Sequence, residues 1–220
     1  MARPRVLRWS EAEPGRAAEA AAAALRAGRV VAHPTETVYG LAVSAADERA
    51  HAALLRLKGG GAPRAFLLLF ADRQALRESL GELPPGGERL ADAFWPGPLT
   101  LLVPAGAGLP AWWSGPEGDV AARVTPHPFC RALLAALGGP VLSTSANRPG
   151  EPPLETAAAV TAAFSPDELA LVVDGGRLRG SPSTLLRWTD RGWSVVRPGP
   201  VSREALARAV GTGGPDGIHA

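Results

Sequence analysis

The sequence predicts a single α/β domain over residues 1–210, a twisted open mixed sheet with helices on its faces, followed by a disordered tail at 211–220. Three observations lead there. Short apolar runs that read as strands alternate with helical patterns for most of the chain and then become antiparallel near its end. Apolar residues make up 46% of the 220, enough to build one sizeable core. Neither an internal repeat nor a linker interrupts them.

Residues 5–9 read as a short edge strand, and 15–26, with their alanine run, as a helix ending at Gly28. Val30, Val31 and Ala32 form a buried strand that stops at Pro34, because proline has no N–H for a ladder. The next residues, 35–39, are then a strand-end loop carrying two threonine hydroxyls, a carboxylate and a phenol. Gly40 closes it and lets the backbone turn or approach a ligand. Strand ends in open α/β sheets are favoured ligand sites.

Further on, 47–58 opens acidic and sets Ala50, Ala53, Leu54 and Leu57 on one face, so it is a helix that runs into Gly59, Gly60 and Gly61. A strand at 66–70, helices at 72–80 and 88–94, and a strand at 99–103 follow. The stretch 105–118 is loop. Residues 119–124 are a strand with Arg123 inside an apolar run, either on a solvated face or placed to grip a carboxylate. A helix at 127–137 precedes a short strand, Val141 and Leu142, that opens into Ser143, Thr144, Ser145, Ala146 and Asn147. The remainder reads as a helix within 152–164, a strand at 169–173, a hairpin of 183–187 with 193–197, and a helix to Val210 capped by Ser202.

Composition narrows the function classes. Cys130 is the single cysteine, which excludes an internal disulfide and a cysteine-based zinc site; it reads as a buried structural thiol. No run is apolar for a membrane-spanning length, and the first residues lack a signal peptide's hydrophobic region, so a cytoplasmic protein with no membrane partner is expected. Net charge is +2, with a sequence pI near 9.3 that permits a basic patch. Lys58 is the one lysine among 23 basic residues, which singles it out where a compact point charge is needed. As a helix-end cation it also complements the helix dipole.

Loops 34–40, 143–147 and 181–184 are rich in hydroxyls, and Lys58, Arg64, Arg123 and Arg197 are placed to face them. Hydroxyls and cations without a base-activated nucleophile suit the binding of anions and amino-acid groups. No GxSxG elbow supports Ser143 or Ser145 as a hydrolase nucleophile, and no GxxxxGK[ST] loop is present. No close histidine pair marks a metal site, so none is expected, and His33 and His127 read as structural.

PTETVYGL, the lysine and glycines ending the next helix, FWPGPLTLLVPA, VAARVTPHP, STSAN, DGG followed by SPST, and VVRPG occur in an order and spacing that resemble the YrdC-type threonylcarbamoyl-AMP synthase family. The resemblance runs from about Val30 to Gly199. It implies a twisted α/β fold with a concave basic face, in a short form without a further C-terminal domain. The implied reaction condenses L-threonine, bicarbonate and ATP, with Mg²⁺, to threonylcarbamoyl-adenylate and pyrophosphate. The implied partners are a downstream threonylcarbamoyl transferase and tRNA or other RNA on the basic face.

Carried over by position, the resemblance assigns Lys58, as the catalytic cation, together with Arg64, Ser145, Asn147 and Arg197 to the nucleotide. It assigns Thr35 or Thr37, Arg123, Ser143 and Ser183 to threonine. One departure stands out. Gly60 replaces the second basic residue of the family's K-x-R signature, and Arg64 remains further along the loop where relatives carry lysine or asparagine. That loss keeps two alternatives in view: a YciO-like paralogue that binds RNA or nucleotide with little synthesis, and a carbamoyl-transfer accessory.

Overall fold

Pro34 and Gly40 bracket a five-residue loop, and the strands on either side of it pair with each other: β2 (Val31–His33) runs antiparallel to β3 (Gly40–Ser44), with His33 opposite Gly40. The computed structural model describes residues 3–60, 65–212 and 217–219. Within them, β1 (Arg5–Arg8), α1 (Pro14–Arg26), β2 and β3 are followed by α2 (Glu48–Leu57), β4 (Leu67–Phe70), α3 (Arg73–Leu80) and α4 (Gly87–Phe94). Then come β5 (Leu99–Pro104), β6 (Asp119–Val124), α5 (Pro128–Leu137) and β7 (Val141–Ser145). The chain continues through α6 (Ala157–Ala163), β8 (Leu171–Asp174), β9 (Thr184–Thr189), β10 (Gly192–Arg197), α7 (Arg203–Val210) and β11 (Ile218–His219).

All eleven strands join one mixed sheet in the order β1-β8-β2-β3-β7-β4-β6-β5-β9-β10-β11, as the predicted fold class requires. Local chemistry explains the helix starts. The Asp47 carboxylate accepts from the Arg49 and Ala50 amides, Asp72 accepts from Ala75, and the Ser202 hydroxyl accepts from Ala205. Three features differ from the sequence reading. β3 is a strand the sequence does not announce: its residues are nearly all buried, so they lack polar alternation, and Gly40 reads as a turn. Antiparallel pairs also occur within the sheet, at β2–β3, β3–β7, β4–β7 and β5–β6, and not only at the closing hairpin. The stretch expected to be a tail supplies β11, which runs parallel to β10 with Ile218 buried against the core.

Side-chain alternation divides the sheet's two faces. Leu68, Phe70, Leu101, Val103, Val120, Ala122, Leu142 and Leu186 point into the larger core, under α2, α3, α4, α6 and α7. Their neighbours on the other face meet the smaller core made by α1 and α5, which pack on each other and cover Val31, Ala42, Val141 and Leu171. Those two helices reach only part of that face. The rest, over β4, β6, β5 and β9, forms the floor of a cleft.

Candidate active site

The cleft encloses about 420 Å³. Alternation aims Leu67 of β4, Ala121 and Arg123 of β6, Thr100 and Leu102 of β5, and Leu185 and Arg187 of β9 into it. Its rim is made of the three hydroxyl-rich loops. Thr35, Thr37, Ser143, Ser145 and Ser183 all line it, with Arg123 and Arg197. Seven of the residues singled out from the sequence therefore meet at one place.

The loop after β2 is held by its own hydroxyls. Thr35 Oγ1 donates to the Val38 carbonyl (2.7 Å) and accepts from the Thr37 and Val38 amides. The Thr37 hydroxyl lies 2.9 Å from it, within hydrogen-bond reach. Tyr39, the one tyrosine, anchors the loop's far end by donating to the Gly176 carbonyl at 2.7 Å. Burial pushes its phenol up to about 12, so it stays a donor.

Arg123 is buried instead of solvated. Its Nε lies 3.0 Å from Glu36 Oε1, with 5% and 13% of the two side chains exposed. The pair is close but not aligned as a hydrogen bond, while the other Glu36 oxygen accepts from Thr125 at 2.8 Å. Arg197 sits at the end of β10 and donates through Nε and Nη2 to the Ser183 carbonyl, at 3.2 and 2.9 Å. Burial, and then repulsion from Arg123, hold its guanidinium below the ordinary arginine range. Two arginines in electrostatic reach of each other make a field that an anion relieves.

Lys58 and Asn147 stand behind the cleft wall and do not line it. Lys58 is the C-cap of α2, 5% exposed, and its ammonium donates to the Ser145 carbonyl (3.1 Å), the Asn147 carbonyl (2.8 Å) and Asn147 Oδ1 (2.9 Å). The Ser145 hydroxyl donates to the same Oδ1. The lysine thus ties the end of a helix to the loop after β7, and only Ser145 of the three reaches the cleft. Arg64 lies outside the described residues. Gly60 has φ +62°, and a Cβ there would meet nothing within 4 Å among the described residues.

The sequence reading missed Arg187 and Asp119, which line the cleft as an ion pair (Nε to Oδ2, 2.9 Å). Their only sequence signal is a charge on alternate positions of an apolar strand. It also missed Thr100, whose hydroxyl lies 2.8 Å from that of Ser183. Cys130 is fully buried as expected, and burial pushes its thiol up.

A family model that groups Sua5, YciO and YrdC, described as telomere recombination, matches residues 23–199. The chain belongs to that family. Similarity within it is high: the threonylcarbamoyl-AMP synthase of Alkalilimnicola ehrlichii is 42% identical over 178 residues, covering 80% of this chain and 92% of the relative. Pyrococcus abyssi Sua5 complexed with L-threonine superposes with a TM-score of 0.84 at 32% identity, over 98% of this chain and 62% of that one. The family fold extends to E. coli YciO, which superposes with a TM-score of 0.82 at 25% identity, over 93% of this chain and 99% of that one.

Proposed function

We propose that this protein is a threonylcarbamoyl-AMP synthase that condenses L-threonine, bicarbonate and ATP to threonylcarbamoyl-AMP and pyrophosphate. The observation that carries this reading is the cleft, where two arginines and five loop hydroxyls converge, and where the histidine beside Ser143 is held at about 3, too weak a base to activate that hydroxyl as a nucleophile. Such a site suits a reaction whose nucleophile comes from the substrates. The threonine amine attacks bicarbonate carbon and water leaves, giving a carbamate; a carbamate oxygen then attacks the α-phosphorus, and pyrophosphate departs. The protein's part is to hold the reactants in line and to offset growing negative charge.

In this reading Arg123 holds the amino-acid carboxylate beside Thr37, Ser143 and Ser183, and Arg197 and Ser145 meet the nucleotide. The binding of L-threonine by the archaeal Sua5, named for that complex, supports an amino-acid site in the shared fold. Lys58 and Asn147 act on the nucleotide through the 145–147 loop they brace. Among the described residues no three His, Cys, Asp or Glu side chains are grouped to hold a metal ion. Arg197 would offset charge on the nucleotide phosphates, and Mg²⁺ arriving with ATP would add charge screening there.

The product goes to a separate transferase that modifies tRNA, and the protein works in the cytoplasm; among the described residues no helix is long and apolar enough to cross a membrane. Relatives named as synthases at 42% identity disfavour the binding-only alternative. The deciding experiment incubates the protein with ATP, Mg²⁺ and bicarbonate, with and without L-threonine. Pyrophosphate release that needs threonine is expected. Release without threonine, or none, overturns the proposal.

A further inference from the structure

His33, the last residue of β2, is fully buried against Phe129 and takes no place in the reaction just described. Its two ring nitrogens have different partners. Nδ1 lies 3.2 Å from the Pro34 carbonyl and 3.5 Å from Cys130 Sγ, whose shorter contact is with that same carbonyl, and Nε2 lies 3.1 Å from Ser143 Oγ, a hydroxyl on the cleft wall. Burial, then the charges of His127 and Arg123, push the imidazole down to about 3, although its bond to the Pro34 carbonyl works the other way. The ring is neutral and carries one N–H.

Geometry decides where that proton sits. A carbonyl can only accept, so an unprotonated Nδ1 would set two lone pairs against each other at 3.2 Å. With the proton on Nδ1, the Pro34 carbonyl accepts from the ring and also from the Cys130 thiol at 3.2 Å. Nε2 is then bare, and the Ser143 hydroxyl has to donate to it. The strand opposite leaves room for this contact through Gly40: a Cβ at that position would come within 2.8 Å of His33 Nε2 and 2.9 Å of Ser143 Oγ.

We propose that His33 is a positioning residue for substrate selection: by taking the proton of Ser143, it makes that hydroxyl an obligate acceptor facing the cleft, matched to a hydrogen-bond donor of the amino acid. The partner is the substrate's amine or its side-chain hydroxyl, and never its carboxylate, which needs donors and goes to Arg123. This inference rests on the synthase reading for the identity of the substrate.

Two measurements test it. Nitrogen-15 NMR of histidine-labelled wild-type protein, assigned with His33→Gln, is expected to show Nδ1 protonated and Nε2 bare; an Nε2–H tautomer overturns the proposal. In the pyrophosphate assay, His33→Phe keeps a ring but no acceptor, and is expected to raise KM for L-threonine roughly five- to tenfold, the worth of one hydrogen bond, without changing KM for ATP. Ser143→Ala is expected to do the same, and the double variant to be no worse than either single one. His33→Gln, whose amide oxygen can take the place of Nε2, restores most of the affinity. Additive effects, or equal changes in both KM values, overturn the proposal. Repeating the series with L-2-aminobutyrate, which lacks the hydroxyl, separates the partners: a persisting His33→Phe effect assigns the amine and a lost one the hydroxyl. If wild type releases no threonine-dependent pyrophosphate, the synthase reading fails, while the tautomer still decides the His33–Ser143 contact. The NMR result also stands if His33→Phe does not fold.

Discussion

Arg123 on β6 and Glu36 in the loop after β2 form an ion pair at 3.0 Å, almost wholly screened from water, at the wall of a cleft that takes an anion in the proposed reaction. Glu36 is therefore the resident counter-charge of Arg123, and a bound carboxylate shares the guanidinium with it. Glu36→Gln removes the charge with little change in shape and leaves a buried guanidinium without its partner. A stability loss of about 3 kcal/mol is expected, measured by urea denaturation. Because the substrate carboxylate then meets an uncompensated cation, L-threonine is expected to raise the variant's Tm more than it raises that of wild type. Equal shifts would mean that Arg123 does not meet the carboxylate.

The three oxygens on the Lys58 ammonium predict a mixed phenotype for Lys58→Ala. Removing the cation leaves buried acceptors of the 145–147 loop unsatisfied, so stability is expected to fall by about 2 to 3 kcal/mol while KM for ATP rises. A lysine that served the phosphates alone would change KM and leave the Tm untouched. Differential scanning calorimetry beside the pyrophosphate assay tells the two apart.

Gly60, which the sequence resemblance sets against the family's signature arginine, has a left-handed φ, and a Cβ there would meet nothing within 4 Å among the described residues. Gly60→Arg is sterically allowed at a backbone cost of about 1 kcal/mol, or a Tm drop of roughly 2 to 4 °C. It is expected to raise kcat/KM for ATP by up to about tenfold through a regained charge contact. An unchanged kcat/KM would place the turn after α2 away from the nucleotide.

Acid sensitivity follows from the histidines. Burial holds His33, His51 and His127 below the ordinary histidine value, with His33 at about 3. Between pH 6.5 and 3 the unfolded chain binds protons that the folded one refuses. Their contribution to stability is complete above about pH 6.5 and falls as the pH drops. From His33 alone, about 2 to 3 kcal/mol is expected to disappear between pH 7 and 4.5, above the range where Glu168, held low by Arg148, begins to add its own loss. Urea midpoints across that range are expected to fall steeply in wild type and more gently in His33→Gln.

Much of the architecture was legible because periodicity and caps are local signals. Asp47, Asp72 and Ser202 mark helix starts, and the β6 run 119–124 matches its predicted bounds. What escaped depends on distant partners. β3 is hidden because its neighbours bury both of its faces, and β11 because its two residues gain strand geometry from β10 and from a bridge to Thr212. The same divide holds in the cleft. Clustered hydroxyls at 143–147 stand out in the sequence, whereas Arg187 matters only because β9 lies beside β5, with Leu102 opposite it. The contact of Lys58 with a loop 87 to 89 positions away has no local signature either.

Since Lys58 is the only lysine, amine-directed labelling of this protein has a single side-chain target, 5% exposed and gripped by the loop that borders the cleft. Acylation of that amine is consequently a gauge of loop opening. Its rate measures how often the 145–147 segment lets go of the helix end, and a mass increment on one residue reads the event.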